Sequence, residues 1–212
     1  LEEFAESGTE KARAQYWKGR SFSALGEKQK ARRAFETAAE YSTIYYGQLA
    51  REEIGLGKVP KIINGGQASA AAKASVDRDE VVRALNLMVK ANGKSSVSMF
   101  VWSLASRFNN VDEMNAVAAI VKQHGGTTMA LRLAKASSAR DIDIDHWAYP
   151  IKALPSWKHM GKPVEASLVY GLSRQESEFD PQAGSKVGAQ GLMQIMPGTA
   201  KLITKQYRMP YA

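Results

Sequence analysis

Apolar side chains recur three and four residues apart along most of this chain, and glycine-containing breaks interrupt the pattern at short intervals. That period is the spacing of one helix face; strands would need alternation instead. Residues 9–25, 27–40 and 43–54 read as three consecutive helices. Ala12, Tyr16 and Trp17 are expected on the inner face of the first, which Leu25-Gly26 ends. Ala31, Ala34, Phe35, Ala38 and Ala39 face inward in the second. Gly47 interrupts the third pattern, which predicts close backbone approach there. Ile54-Gly55-Leu56-Gly57 and Pro60 then mark a break.

A stretch rich in Gly, Ala and Ser covers about 64–75, opening with Asn64-Gly65-Gly66-Gln67. The helix preference of alanine leaves room in it for a short helix from Ala68 to Ala74. Helical patterns resume at 77–91, 95–108, 112–124 and 127–138. Asp77 is the expected N-cap of the first of these, with Glu80 three residues on, and Asn92-Gly93 its close. Ser95 opens the next, and Gly125-Gly126 separates the last two. Short helices joined by short turns predict an all-α fold with an α-superhelical region over 1–140. The Trp17, Gly26 and Ala31-x-x-x-Phe35 spacing resembles a tetratricopeptide-like helix pair.

Section 141–162 reads as an extended connector. Asp141, Asp143 and Asp145 alternate with Ile142 and Ile144, a pattern that suits a strand or a cation site. The Gly and distal Glu of a calcium loop are missing, which argues against the cation. Trp147 and Trp157 could stack on sugar, but burial at a domain contact is the expected role for both. His124, His146 and His159 are scattered without helical ligand spacing, and there is no cysteine, so no metal site or cofactor is expected.

The segment 163–212 carries the chemistry. Val164, Leu168, Val169 and Leu172 have helical spacing, Pro163 fits the first turn, and Asp180-Pro181 marks the stop. Glu176 falls in the last turn. There the negative end of the helix dipole disfavours ionisation, as does partial burial, and a protonated carboxyl is what general-acid chemistry requires. Ala183-Gly184-Ser185 and Gly188-Ala189 form a loop of small residues beside it. Gly191-Leu192-Met193-Gln194-Ile195-Met196 suits a short strand or extended turn, and Pro197 starts another helix, with Lys201 and Lys205 on its exposed side. Met193 fits a core or a cleft equally well. Most glycoside hydrolases use two carboxyl groups. Here Glu178 points to a different helix face from Glu176, and Asp180 suits the turn, so one catalytic carboxylate is expected. Ser177 is expected to bond backbone at the helix end rather than act as a nucleophile.

Arg174-Gln175-Glu176-Ser177, Ser185, Gly188-Ala189, Gly191 through Pro197 and Thr199-Ala200 together resemble the soluble lytic transglycosylases, whose catalytic domain is lysozyme-like. Tyr16-Trp17-Lys18-Gly19-Arg20 and Tyr45 through Ala50 are similar, more weakly, to the helical superhelix that precedes that domain in the family. The resemblance implies cleavage of the MurNAc–GlcNAc β-1,4 bond of peptidoglycan without water, leaving a 1,6-anhydro sugar. It implies that Glu176 is the sole acid/base and that Ser185, Gln194 and Met196 contact the glycan. It implies no cofactor, glycan strands as the partner, and a periplasmic place of action. On this reading 141–162 connects the helical region to an incomplete lysozyme-like domain at 163–212, because the family's later cleft-closing segment has no counterpart before Ala212.

Two other functions fit the residues: a hydrolytic muramidase on the same fold, and a non-catalytic helical scaffold that binds cell wall or a protein partner. The 212 residues allow one or two domains with a sizeable core. No apolar run approaches the roughly 18 residues of a membrane span. Without an initiator Met or a signal peptide at Leu1, the chain reads as a mature form or a fragment. The formal charge of +8 suits an anionic polymer such as the cell wall. Its densest group, Lys28, Lys30, Arg32 and Arg33, reads as a solvated helix face, and no nucleic-acid motif accompanies it.

Overall fold

The computed structural model describes residues 7–57, 66–92 and 96–211. Pro60, Asn64, Gly65, Gly93 and Ser95, where breaks and a helix start were expected, lie outside the described residues. The fold is all-α: helices α1 (Gly8–Ala24), α2 (Lys28–Ala39), α3 (Tyr45–Glu53), α4 (Ala70–Arg78), α5 (Glu80–Asn92), α6 (Val97–Arg107), α7 (Val111–Ser138), α8 (Asp145–Ala148), α9 (Ala166–Ser177) and α10 (Pro197–Gln206). The β-pairing among the described residues is confined to two isolated bridges. No described helix is long and apolar enough to cross a membrane. The chain divides into two compact units: 1–65 with 137–143, and 66–136 with 144–212.

In the first unit, Ser7 caps α1 through a reciprocal pair. Its Oγ accepts from the Glu10 amide, and Glu10 Oε2 accepts from the Ser7 amide at 3.0 Å. Ala12, Gln15, Tyr16 and Gly19 form the buried stripe of α1. Trp17, expected inside, is 51% exposed. One residue beyond Tyr16, it is turned about 100° off the i, i+3, i+4, i+7 stripe. All five inward residues expected of α2 are buried, and Phe22, Tyr46, Leu49 and Ile54 pack against the cluster that Ala31, Phe35, Ala38 and Ala39 form with Tyr16 and Ala50. The Lys28, Lys30, Arg32 and Arg33 group is exposed, with Lys30 paired to Glu27 and Arg32 to Glu36.

The expected close approach at Gly47 is to the chain leaving α2. A Cβ there would stand 2.0 Å from the Tyr41 carbonyl oxygen and 2.9 Å from that of Ala38.

In the second unit, Val76, Val82, Leu85, Leu104, Met114, Val117, Val121, Leu131 and Leu133 are fully buried. The helix allowed for at Ala68–Ala74 is present as α4, and it runs on through Asp77 to Arg78. The cap expected at Asp77 therefore falls at Asp79. That residue leaves the helix with ψ 134°, and its Oδ1 accepts from the Val81 and Val82 amides. Arg107 of α6 grips Asp79 and Glu80 together. Burial would push the Asp79 carboxyl up, but the Arg107 and backbone hydrogen bonds outweigh it and hold it below the usual aspartate range. Helix α7 is broken at Gly126 (φ 78°, ψ −173°), where the Gly-Gly separation was expected.

The alternating aspartates do not form a strand. Asp141 turns back at φ 58° and pairs with Lys11, while Asp143 accepts a 2.6 Å bond from Ser138 Oγ. Asp145 starts the single-turn α8. The alternation survives as burial of Ile142 and Ile144. Trp147 is buried within the second unit, its Nε1 donating to Asn115 Oδ1 at 3.0 Å. Trp157 is not: it is 42% exposed, with its ring edge against His159 and tilted toward Tyr170.

Because backbone rather than a movable side chain meets the missing Cβ, Gly47→Ala should destabilise the first unit by about 3 kcal/mol. The check is a lower urea midpoint with the slope unchanged.

Candidate active site

Helix α9 begins at Ala166, three residues later than Pro163 suggested. Glu165 is still extended (ψ 132°), and its carbonyl accepts the Leu168 and Val169 amides. Tyr170 and Arg174 pin the helix on one side. The Tyr170 hydroxyl donates to the Ile151 carbonyl at 2.6 Å. Arg174 Nε donates to the Ala148 carbonyl at 2.8 Å, and its guanidinium lies 4.5 Å from the centre of the Tyr149 ring.

The buried face of α9 holds Ser173 and Ser177 rather than leucines. Leu168, Leu172 and Glu176, spaced i, i+4, i+8, form an exposed stripe instead. Glu176 is thus open to solvent, against the partial burial expected for it. Small hydroxyl residues let the backbone of α9 pack closely, and that turns the apolar stripe and its terminal carboxylate outward. Glu176 makes no hydrogen bond or ion pair among the described residues, so its carboxyl remains available to a ligand.

The end of α9 is built tightly. Ser177 Oγ lies 3.0 Å from the Ser173 carbonyl and 2.8 Å from the Leu192 carbonyl, tying the helix to the loop that follows. This is the structural role expected of it. Glu178 (φ 54°) and Phe179 (φ 63°) are then both left-handed, and both amides return to the Ser173 carbonyl. Two such residues that are not glycine store about 1–2 kcal/mol each. Burial of Phe179 against Tyr170 and a double ion pair on Glu178 oppose that strain. Arg132 Nε and Lys135 Nζ of α7 reach the two Glu178 oxygens at 2.6 and 2.7 Å. Burial alone would raise the Glu178 carboxyl, but these two cations hold it below the ordinary glutamate range. Asp180 serves the turn, its Oδ1 accepting from the Gln182 amide.

The loop after α9 is an extended turn closed by the Gly184–Gln190 and Gln190–Ile195 bridges. Ser185 Oγ accepts from the Ala189 amide at 2.9 Å, which leaves its proton free to donate. Gln194 (φ 48°) spends both amide protons on the Ala183 and Gly191 carbonyls, at 2.9 and 3.0 Å. Two carbonyl partners fix which end of the amide is nitrogen, and Oε1 is the end left for a ligand. Met196, exposed, caps α10, with Pro197 at its first position. The structure therefore carries Glu176, Ser185, Gln194 and Met196 on one continuous segment, braced by Ser177. Sequence reasoning missed Arg132 and Lys135, because nothing local in a sequence pairs them with a carboxylate more than 40 residues away.

The segment is a helix ending in an open carboxylate, bonded to a turn with free polar atoms, and it falls within a region that matches known proteins. Residues 157–212 match the family described as the transglycosylase SLT domain. Soluble lytic murein transglycosylases of Salmonella typhimurium and Escherichia coli are each 48% identical over 50 residues, which is 24% of this chain and 8% of theirs. In fold, the chain is similar to an inactive point mutant of the Pseudomonas aeruginosa lytic transglycosylase Slt. The TM-score is 0.65 at 26% identity, over 95% of this chain and 32% of that one. It also resembles the 70 kDa soluble lytic transglycosylase of Escherichia coli, with a TM-score of 0.63 at 20% identity and the same coverage. The sequence likeness lies in the C-terminal part of the chain, residues 157–212 for the family match, and the likeness of helical fold extends over most of the chain. The chain spans less than a tenth of the length of those two curated relatives in the aligned sequence.

The lowered Glu178 carboxyl has a pH consequence. Its ion pairs contribute stability that is complete above the unfolded glutamate value and lost as pH falls through the lower folded value. Glu178→Gln should remove about 1 kcal/mol near neutral pH, since both cations are well exposed and screened. It should also flatten the fall in urea midpoint between about pH 5 and pH 3.

Proposed function

We propose that the protein is a peptidoglycan lytic transglycosylase in which Glu176 is the sole general acid/base. The observation that supports this most is the placing of one unpaired carboxylate at the braced end of α9, inside the segment that matches the SLT domain. Glu178 is committed to Arg132 and Lys135, and Asp180 to its own turn, so neither is free to act as a second carboxylate.

In this reading protonated Glu176 gives its proton to the oxygen of the MurNAc–GlcNAc β-1,4 bond. The N-acetyl group of the sugar stabilises the positive charge that develops at C1. The C6 hydroxyl of the same sugar attacks C1 as the ionised Glu176 takes its proton, giving 1,6-anhydro-MurNAc. Attack from within one residue supplies a high effective concentration of nucleophile, which is why water is not needed. Ser185 Oγ as donor, Gln194 Oε1 as acceptor and the Met196 side chain as apolar wall are assigned to the glycan beside the scissile bond.

The division of labour follows. Residues 163–212 carry the catalytic segment, 141–162 connect to it, and the helical region 1–140 presents a surface for the wall or for a protein partner. The relatives are named soluble murein transglycosylases, which suits a periplasmic or cell-wall site of action. An inactive glutamate-to-glutamine variant of the Pseudomonas aeruginosa enzyme is consistent with an essential glutamate in that protein.

Glu176→Gln in the whole protein should lower release of soluble fragments from purified peptidoglycan by about 10³-fold or more, while binding to the wall is retained. Turnover within a few fold of wild type would refute the assignment.

A further inference from the structure

We propose that Arg132, Lys135 and Glu178 form a clamp that positions Glu176 by holding the end of α9 in its left-handed turn. This rests on the reading of Glu176 as the acid, and it adds residues of α7 to that site.

The geometry is specific. Arg132 and Lys135 are three residues apart, so they lie on one face of α7 and present two cations to one carboxylate. The stretch of α7 that bears them is anchored by Leu131, Leu133 and Ala134, each essentially fully buried. A contact made from such a rigid element fixes its partner more closely than one made from a loop. Glu178 lies two residues after Glu176 and is the first residue beyond α9. Without the clamp, only the burial of Phe179 and the Ser177 tie oppose the strain of φ 54° at Glu178, and a right-handed residue there would lengthen the helix. Glu176 would then no longer stand in the last turn, and the Ser177 bond to Leu192, which ties α9 to the 183–196 turn, would be disturbed. These three are positioning residues; none of them is assigned to touch the substrate.

The test uses the whole protein with three variants: Glu178→Gln, the double Arg132→Met/Lys135→Met, and the conservative Lys135→Arg. Turnover of solubilised peptidoglycan strands is measured together with hydrogen exchange of the Glu178, Phe179 and Asp180 amides. The first two variants should lower kcat about tenfold with KM within about twofold, since displacement of a catalytic group acts on the chemical step. Their three amides should exchange about tenfold faster. Lys135→Arg, which keeps both charges, should behave as wild type. Unchanged exchange in the first two variants would overturn the clamp. Faster exchange with unchanged kcat would overturn its positioning role. If the wild-type protein shows no turnover, the transglycosylase reading fails by itself, and the clamp is decided by the exchange rates alone.

Discussion

A helix that ends in two successive left-handed residues other than glycine must be held there, and at the end of α9 the holding is partly ionic and partly apolar. Glu178 is gripped by Arg132 and Lys135, Phe179 is buried against Tyr170, and the Ser177 hydroxyl ties the same turn to Leu192. The direction in which Glu176 leaves the helix, and the path of the chain into the 183–196 turn, both depend on this ending. Arg174 and Tyr170 serve it from the other side by fixing α9 against the 148–151 backbone.

The polarity of α9 is inverted relative to an ordinary core helix. Serines are buried and leucines are exposed, with the carboxylate at the end of the leucine stripe. An exposed apolar stripe ending in an acid is a surface suited to a sugar ring, whose faces are apolar and whose linking oxygens are basic. In the turn that follows, the polar groups are rationed. Gln194 keeps one acceptor free and Ser185 one donor, because the rest of their hydrogen-bonding capacity holds the turn closed.

Much of this was legible in the residues. The helical period gave the all-α fold, the five inward positions of α2, the break at Gly126 and the start of α10 at Pro197. Asp180 and Ser177 behave as their chemistry suggested. Boundaries and faces were harder. Asp77 was expected to cap α5 because a Glu follows three residues later, yet α4 runs through it and Asp79 takes the amides with help from the distant Arg107. Trp17 was expected inside because it shares a face with Ala12 and Tyr16 in the helical period, and Trp157 because an indole is large and apolar, but Tyr16 takes the inward position on α1 and Trp157 stands exposed beside the half-buried Tyr170. The exposure of Glu176 and its support from α7 could not be read locally. Both depend on which face of α9 the serines turn inward and on contacts between residues far apart in the chain.

A single carboxylate that uses the hydroxyl of its own substrate predicts a product no hydrolase makes. The decisive measurement is mass spectrometry of the muropeptides released from purified peptidoglycan by the whole protein. Fragments lighter by one water than hydrolysis products, carrying a 1,6-anhydro end, are the expected result. Fragments with an ordinary reducing end would contradict it, because they would show that water, and not the C6 hydroxyl of the substrate, attacks C1.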